Sequence, residues 1–243
     1  GIDFKQCHGY LCGEMIRPAN TRPDRYGGSF ENRIRFVRET TDKMRRAIAD
    51  RSFLIGARFS VYEGIPGGFG TSGPDEVIED LSEPLAFAKV LEEIGMDFIN
   101  VSAGIPAVTP EIVRPTKRYP EGVYRHFGWA KAVKGAVTIP VIGSGYSYLR
   151  DGDNDLKEPQ RSKRSFIYWA EKNLRDGNVD MVGIGRQSLA DPLFAKKVLS
   201  GEWDSVNYCK TCGGCSVLLR SQQKVGCTVY DPFYRDLLRE IRK

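Results

Sequence analysis

Short apolar runs rich in β-branched residues recur at even intervals along the chain and predict β-strands. The runs lack a regular alternation of apolar and polar positions, which is typical of strands that are buried on both faces of a parallel sheet. The predicted strands are Gly1–Lys5, Phe53–Phe59, Asp97–Ser102, Val137–Gly143 and Val179–Gly185.

Amphipathic helices are predicted between these strands. From Phe30 to Ile48 the apolar residues follow one another at steps of three and four positions, which places them on one face of a helix. Ser29 is the expected N-cap of this helix, because a serine hydroxyl can accept a hydrogen bond from a free backbone N–H of the first turn. The same spacing predicts helices in the segments Leu81–Leu91 and Phe166–Leu174. His126 lies in a further predicted helix, where we expect it to have a structural role.

Strands that alternate with helices indicate a parallel α/β protein. Two folds of this class fit the pattern, the open doubly wound sheet and the (β/α)₈ TIM barrel. No G-x-G-x-x-G motif follows the first strand, whereas small or polar residues stand at the carboxyl end of each predicted strand, which favours the barrel. Because a barrel has eight strands and five are predicted, we expect a partial barrel. The strand-end residues are His8, Arg58, Ser102, Gly143–Gly145 and Gly185–Arg186.

The composition is that of a globular protein, with 41% hydrophobic residues, 28% charged residues and a net charge of +5. Lysines and arginines are interspersed with acidic residues and form no basic stripe, so a nucleic-acid partner is not expected. No apolar run reaches the roughly 18 residues that span a membrane, and no segment has the pattern of a signal peptide. We therefore expect a cytoplasmic protein without a membrane partner.

Four of the six cysteines form a C-x₂-C-x₂-C-x₁₁-C motif near the end of the chain. Without a secretory signal, a disulfide framework is not expected. Four thiolates at this spacing can hold a [4Fe–4S] cluster or a structural zinc ion. Zinc sites usually pair two CxxC units, so a triplet followed by a distant single cysteine favours iron–sulfur, and four unligated thiols are the remaining alternative. The motif consists of Cys209, Cys212, Cys215 and Cys227.

Further candidate residues stand at strand ends. Two glycine motifs, V-I-G-S-G-Y-S at 141–147 and V-G-I-G-R-Q-S-L-A-D-P at 182–192, indicate a phosphate site, although tight turns alone would also explain them. Arg58 lies within an apolar run, where a buried charge needs an anionic partner; a surface-pointing arginine is the alternative. His8 could bind a substrate carbonyl or anion, and Tyr10 could donate a proton.

One loop carries a long signature of the form N-x-R-x-D-x-Y-G-G-S-x-E-N-R. Together with Arg58 and the glycine motifs, it closely resembles the Old Yellow Enzyme family, the FMN-dependent NAD(P)H:flavin oxidoreductases. The resemblance implies strands 4–8 of a TIM barrel in residues 1–205 and a Cys-rich extension with a terminal helix in residues 206–243. It also implies that three further strands precede this chain. The signature residues are Asn20, Arg22, Asp24, Tyr26, Gly27, Gly28, Ser29, Glu31, Asn32 and Arg33.

The resemblance assigns roles to individual residues. His8 would hold the activating carbonyl or anion of the substrate, and Tyr10 would protonate the carbon opposite the one that receives the hydride. Lys5 occupies the position of a histidine, or a tyrosine in one branch, and would add positive charge. Arg58 would lie beside the pyrimidine edge of the flavin. The residues assigned to the phosphate-binding turns are Gly145, Tyr146, Gly185 and Arg186.

The function implied by the resemblance is the NAD(P)H-dependent reduction of an electron-poor C=C bond in a small-molecule substrate. The cysteine motif is similar to that of the branch that includes 2,4-dienoyl-CoA reductase and trimethylamine dehydrogenase, which implies a [4Fe–4S] cluster that relays electrons. A homo-oligomer or a separate electron-transfer domain is compatible with this reading. Two alternatives stay open, an amine dehydrogenase of the trimethylamine dehydrogenase type and an inactive metal-binding fragment.

Overall fold

The computed structural model describes residues 1–48, 50, 52–116, 120–151 and 157–243. The chain divides into two compact units. The first comprises Gly1–Pro115, Glu121–Gly145 and Asn173–Gly183, and the second comprises Thr116–Pro120, Tyr146–Lys172 and Ile184–Lys243. The expected division into residues 1–205 and 206–243 stays a prediction.

The first unit contains a five-stranded parallel sheet whose spatial order, β1-β2-β3-β4-β5, is the order of the strands along the chain. A doubly wound sheet would reverse direction at a switch point, whereas a barrel adds each strand next to the preceding one. The partial TIM barrel predicted from the sequence is therefore confirmed. The strands are β1 (Ile2–Gln6), β2 (Ile55–Ser60), β3 (Ile99–Ser102), β4 (Val141–Gly143) and β5 (Met181–Val182).

Apolar and polar residues alternate along β1, β2 and β3, which differs from the expected pattern, whereas the expected burial on both faces holds for β2, where five of the six residues are buried. Ile55, Ala57 and Phe59 of β2 are fully buried in the hydrophobic core. Arg58 lies between Ala57 and Phe59, and Ser60 follows Phe59. Both side chains point to the opposite face of the sheet, because successive side chains in a strand alternate. This alternation leaves one apolar face of the sheet, covered by helices, and one polar face.

The helices that cover the apolar face follow β1, β2 and β3 in the chain. The buried core combines β-strand residues with Ile34 and Val37 of α2 (Phe30–Ala47), Phe87 and Leu91 of α3 (Ser82–Glu93), and Val133 of α5 (Gly122–Ala136). Ser29 caps α2 as predicted, since its hydroxyl accepts a hydrogen bond from the N–H of Asn32. The helices are α1 (Leu11–Met15), α2 (Phe30–Ala47), α3 (Ser82–Glu93), α4 (Pro110–Val113), α5 (Gly122–Ala136), α6 (Gln160–Arg164), α7 (Phe166–Arg175), α8 (Arg186–Ala190), α9 (Phe194–Leu199), α10 (Gly214–Arg220) and α11 (Pro232–Ile241).

The second unit is held together by a chain of aromatic contacts. The ring of Phe166 lies 5.6 Å from that of Tyr146 and 4.9 Å from that of Phe194, and the Phe194 ring lies 6.3 Å from that of Tyr208. Two short 3₁₀ helices, Tyr146–Tyr148 and Trp203–Ser205, also belong to this unit. Among the described residues of the chain, no helix combines the length and apolar character needed to cross a membrane.

Candidate active site

The polar face of the sheet brings together charged residues from neighbouring strands. Lys5 of β1 is paired in register with Arg58 of β2, and Arg58 is paired with Asn100 of β3. Residues paired in this way point to the same face, and all three are partly exposed. The sheet therefore presents a row of two cations and an amide on its polar face.

Asp3 supplies the counter-charge for Arg58. One carboxylate oxygen of Asp3 accepts from the Arg58 guanidinium, and its other oxygen is buried without a partner among the described residues. With its amide turned over, the oxygen of Asn100 accepts from two nitrogens of Arg58 at 3.0 and 3.2 Å. Both interpretations of Arg58 hold in part: the cation has an anionic partner, and 38% of its side chain stays exposed and available to a ligand.

His8 follows the end of β1 with a φ of 64°, which is uncommon for a residue with a side chain. This conformation places Nε2 of His8 2.7 Å from the hydroxyl oxygen of Ser102, at the end of β3. Burial, together with the positive charges of Lys5 and Arg58, lowers the pKa of His8 from 6.5 to about 4. The imidazole is therefore uncharged at neutral pH and can serve as a hydrogen-bonding group but not as a cation.

Tyr10 and Lys5 form a second contact at the same end of β1. The ammonium of Lys5 lies 3.7 Å from the centroid of the Tyr10 ring, a short cation–π contact. Tyr10 is 60% exposed. Among the candidate residues, Lys5, His8, Tyr10 and Arg58 thus lie together in the first unit.

The predicted phosphate-binding residues are placed on two turns. Gly145 has a φ of +94°, and a Cβ at this position would lie 2.7 Å from Cγ of His126, so only glycine fits against the imidazole. His126 is fully buried and donates from Nε2 to the carbonyl of Ile112 at 2.7 Å, in agreement with its expected structural role. The Tyr146 ring is buried, so any contact between Tyr146 and a ligand at this turn would come from its backbone.

In the second unit, all four cysteines of the motif line one small cavity, and Arg186 lines it with them. Gly185 precedes Arg186 at the start of α8. Burial raises the pKa of the Cys209 thiol, and the positive charge of Arg186 acts in the opposite direction. Arg186, expected at a phosphate, therefore also lies near the first cysteine of the motif. The cavity cysteines are Cys209, Cys212, Cys215 and Cys227.

The cysteines are free thiols in this structure. Among the described residues, no three His, Cys, Asp or Glu side chains converge closely enough to hold a single metal ion. The backbone N–H of Thr211 donates to the sulfur of Cys209 at 3.4 Å, an interaction that favours the thiolate. A Cβ at Gly214 would lie 2.1 Å from the Thr228 hydroxyl, so the chain between Cys212 and Cys215 is closely packed.

A buried glutamine on α8 fixes the segment that carries Cys209. The side-chain oxygen of Gln187 accepts from the N–H of Cys209 at 2.9 Å, and its nitrogen donates to the carbonyl of Asn207 at 3.0 Å. The carboxylate of Asp191 accepts a hydrogen bond from the backbone N–H of Asn207 at 2.9 Å and so holds the same segment. Sequence analysis missed these residues, because a glutamine and an aspartate in a polar loop motif give no signal of burial.

The signature loop has a structural role. The amide nitrogen of Asn20 donates to the carbonyls of Met15 and Tyr26, both at 2.7 Å. Arg33 is 4% exposed; it donates to the carbonyls of Gly28 and Ile16 and is ion-paired with Glu83 of α3. These two signature residues close the loop and connect it to neighbouring elements.

Comparison with known proteins identifies the family to which the chain is similar. The model of the NADH:flavin oxidoreductase / NADH oxidase family matches residues 1–204. Curated relatives include an NADH oxidase of Thermoanaerobacter brockii, 34% identical over 88% of this chain, and a cinnamate reductase of Clostridium sporogenes, 28% identical over 94% of this chain. The matched regions are 29% and 32% of those proteins, so this chain spans about a third of their length.

A solved structure supports the fold. The 6-hydroxypseudooxynicotine amine oxidase of Pseudomonas geniculata N1 superposes with a TM-score of 0.70 over 94% of this chain and 30% of its own, at 24% identity. At this identity the likeness bears on the fold alone. The resemblance predicted from the signature loop and glycine motifs is confirmed by the family match.

Proposed function

Because the chain belongs to the NADH:flavin oxidoreductase / NADH oxidase family, we propose that it forms part of an FMN-dependent enzyme that reduces an electron-poor C=C bond. NAD(P)H is the proposed electron donor. The observation that carries this proposal is the grouping of an exposed phenol, an uncharged imidazole and an ammonium at the end of β1. These groups can donate a proton and hold an electron-withdrawing oxygen, the two tasks that the reduction requires.

The polar face of the sheet fits a flavin. When bound, FMN supplies the two-electron redox chemistry. Arg58 would place positive charge against the ring, and its partner Asp3 retains a buried oxygen without a partner among the described residues. The assignment of Gly145, Tyr146, Gly185 and Arg186 to the FMN phosphate is part of the proposal; the left-handed turn at Gly145 supports it.

His8 and Tyr10 act on the substrate in this proposal. The imidazole of His8 stays uncharged at neutral pH, and its Nε2 would accept a hydrogen bond from the hydroxyl of Ser102, so the N–H on Nδ1 would donate to the activating oxygen. The exposed hydroxyl of Tyr10 would deliver a proton to the carbon next to the activating group. Positioned general acids of this kind typically contribute about 10²–10⁴-fold to a rate.

The cysteine cavity is the proposed site of a [4Fe–4S] cluster. When bound, such a cluster supplies one-electron transfer. The four cysteines that line the cavity match the number of ligands for a cubane, and the N–H of Thr211 supports one thiolate. Gln187 would fix Cys209 in the ligating position.

Charge argues against the amine dehydrogenase alternative. An alkylamine is a cation at neutral pH, as the reference pKa of a lysine amine, about 10.4, illustrates. Lys5 and Arg58 place two cations against the single carboxylate of Asp3 on the polar face, which would repel such a substrate. An anionic or neutral acceptor suits this surface better.

Flavin content and acceptor specificity test the proposal. The intact protein should release FMN on denaturation, and NAD(P)H oxidation under anaerobic conditions should depend on an added activated alkene such as cinnamate or cinnamaldehyde. Oxidation of dimethylamine in place of alkene reduction would favour the amine alternative. A protein with bound metal but without flavin would support the inactive metal-binding alternative.

A further inference from the structure

The cavity that the four cysteines line also carries positive charge. Arg186 and Lys210 line it together with the cysteines, and none of its described lining residues is an aspartate or a glutamate. The segment 205–230, which contains all four cysteines, has no acidic residue either. A cluster held by four thiolates is an anion, and its net negative charge grows by one unit when it takes up an electron. The charge of the lining therefore favours such a cluster, and favours its reduced form more than its oxidised form.

The two cations of this lining differ in their exposure to solvent. Lys210 is exposed, whereas Arg186 is partly buried. Water and salt screen an exposed charge strongly and a partly buried charge much less. A guanidinium is also more weakly hydrated than an ammonium, so less free energy is lost when it lies against a partly buried site. Arg186 should therefore contribute most of the electrostatic stabilisation that the cavity offers to an anion.

Helix α8 fixes the place of Arg186 beside the cavity. Arg186 and Leu189 are three positions apart on α8, a spacing that puts them on the same side of the helix, and both line the cavity. The next residue, Gln187, is 1% exposed and accepts from the N–H of Cys209 while it donates to the carbonyl of Asn207. These two hydrogen bonds join α8 to the segment that carries the first cysteine. The backbone of Arg186 therefore has a fixed position relative to Cys209.

We propose that Arg186 raises the reduction potential of the cluster, because its charge stabilises the reduced, more negative form. This inference rests on the proposed [4Fe–4S] cluster and gives Arg186 a role in addition to the one proposed at the FMN phosphate. Reduction adds one electron to the cluster and forms or breaks no bond; in the enzyme, reduced flavin is the electron source. A phosphate contact alone predicts weaker FMN binding when Arg186 is replaced, whereas the role at the cysteine cavity predicts a lower cluster potential.

A redox titration of the intact, FMN-loaded protein, followed by electron paramagnetic resonance of the reduced cluster, measures this potential. Arg186→Gln should lower it, with about a tenfold change in the equilibrium between oxidised and reduced cluster, which corresponds to about 59 mV for one electron. Arg186→Lys retains the charge and should stay close to the wild type. Lys210→Gln is the matched control: it removes an exposed cation from the same cavity lining and should change the equilibrium by less than about threefold.

The sign of the shift separates the two roles of Arg186. Loss of FMN from Arg186→Gln would remove an anion and would move the cluster potential upwards, so a fall cannot arise from it. If Arg186→Gln takes up no cluster, the iron content of Arg186→Lys decides. Wild-type iron and potential in Arg186→Lys would support the need for a charge, and loss of iron from both variants would contradict it.

An unchanged or higher potential in Arg186→Gln, or an equal fall in Arg186→Lys or Lys210→Gln, would overturn the inference. A wild-type protein that reduces alkenes with FMN but holds no cluster would overturn it together with the cluster assignment, and would leave the proposed alkene reduction intact. A wild-type protein with a cluster but without flavin would contradict the proposed reaction alone, and a lower potential in Arg186→Gln would then still support the inference.

Discussion

The ammonium of Lys5 lies over the ring of Tyr10, 3.7 Å from its centroid. Lys5 is fixed by its place in β1, so this contact restrains a tyrosine that is otherwise largely exposed. Lys5 belongs to the group of side chains proposed to hold the electron-withdrawing oxygen of the substrate, and it thus touches the residue proposed to deliver the proton. Substrate binding and protonation are expected to depend on each other at this end of the strand.

Asp3 and Arg58 should shift the flavin potential in opposite directions. Arg58→Gln removes a cation that favours the reduced, anionic ring, so the potential should fall. Asp3→Asn removes the carboxylate that partly neutralises Arg58, so the potential should rise. We expect shifts on the order of 30 mV, equivalent to about 1.4 kcal/mol for a two-electron couple. Spectroelectrochemical titration measures both, and shifts of the same sign would exclude this role for Arg58.

The cysteine motif predicts about four irons and four acid-labile sulfides per chain after anaerobic purification. Cys212→Ser should lose most of the iron and of the broad visible absorbance, because Cys212 lines the proposed cluster cavity. Cys12→Ser removes a thiol outside that cavity and should retain the iron. One zinc per chain without labile sulfide would refute the iron–sulfur assignment.

Gln187 should control cluster occupancy without being a ligand. In Gln187→Leu the new side chain has a volume similar to that of glutamine. It cannot accept a hydrogen bond from the N–H of Cys209 or donate one to the carbonyl of Asn207. Iron content should fall several-fold, and the electron paramagnetic resonance spectrum of the remaining reduced cluster should broaden. Gln223→Leu, at an exposed position after α10, is the control. Wild-type iron content and spectrum in Gln187→Leu would show that the cysteine segment does not depend on this side chain.

His126 should make the protein less stable in weak acid. Burial lowers its pKa from 6.5 to about 4, so between these pH values the unfolded chain takes up a proton that the folded chain excludes. The contribution is therefore constant above pH 6.5 and is lost as the pH falls towards 4. At pH 5 the loss is about 2 kcal/mol, at 1.36 kcal/mol per pH unit. In urea titrations, the difference in unfolding free energy between pH 7 and pH 5 should shrink by that amount in His126→Gln. An unchanged difference would mean that His126 is not buried as a neutral group.

The periodic features of the fold could be predicted from the sequence. The spacing of apolar residues predicts α2 to within one residue, since it directly reflects burial against the sheet. The polar face of the sheet was missed because it is formed by single residues on separate strands. Lys5, Arg58 and Asn100 form a row only once register is known.

Long-range contacts of the site were also beyond sequence reasoning. The pairing of Asp3 with Arg58 joins residues 55 positions apart, and that of His8 with Ser102 joins residues 94 positions apart. Neither pair has a local pattern that would indicate the contact. The cysteine motif could be recognised because its four cysteines are close in the chain. The buried side-chain amide of Gln187, which binds the backbone at Cys209, could not be recognised in the same way.

The two half-reactions of Tyr10→Phe test the central claim most directly. In stopped-flow measurements with the intact, flavin-loaded protein, reduction of the flavin by NAD(P)H should proceed at nearly the wild-type rate, because that step uses no proton from Tyr10. Reoxidation by an activated alkene should slow by about 10²-fold or more, because the proton donor is lost. An equal slowing of both half-reactions, or an unchanged rate of reoxidation by the alkene, would contradict the assignment of Tyr10 as the proton donor in alkene reduction.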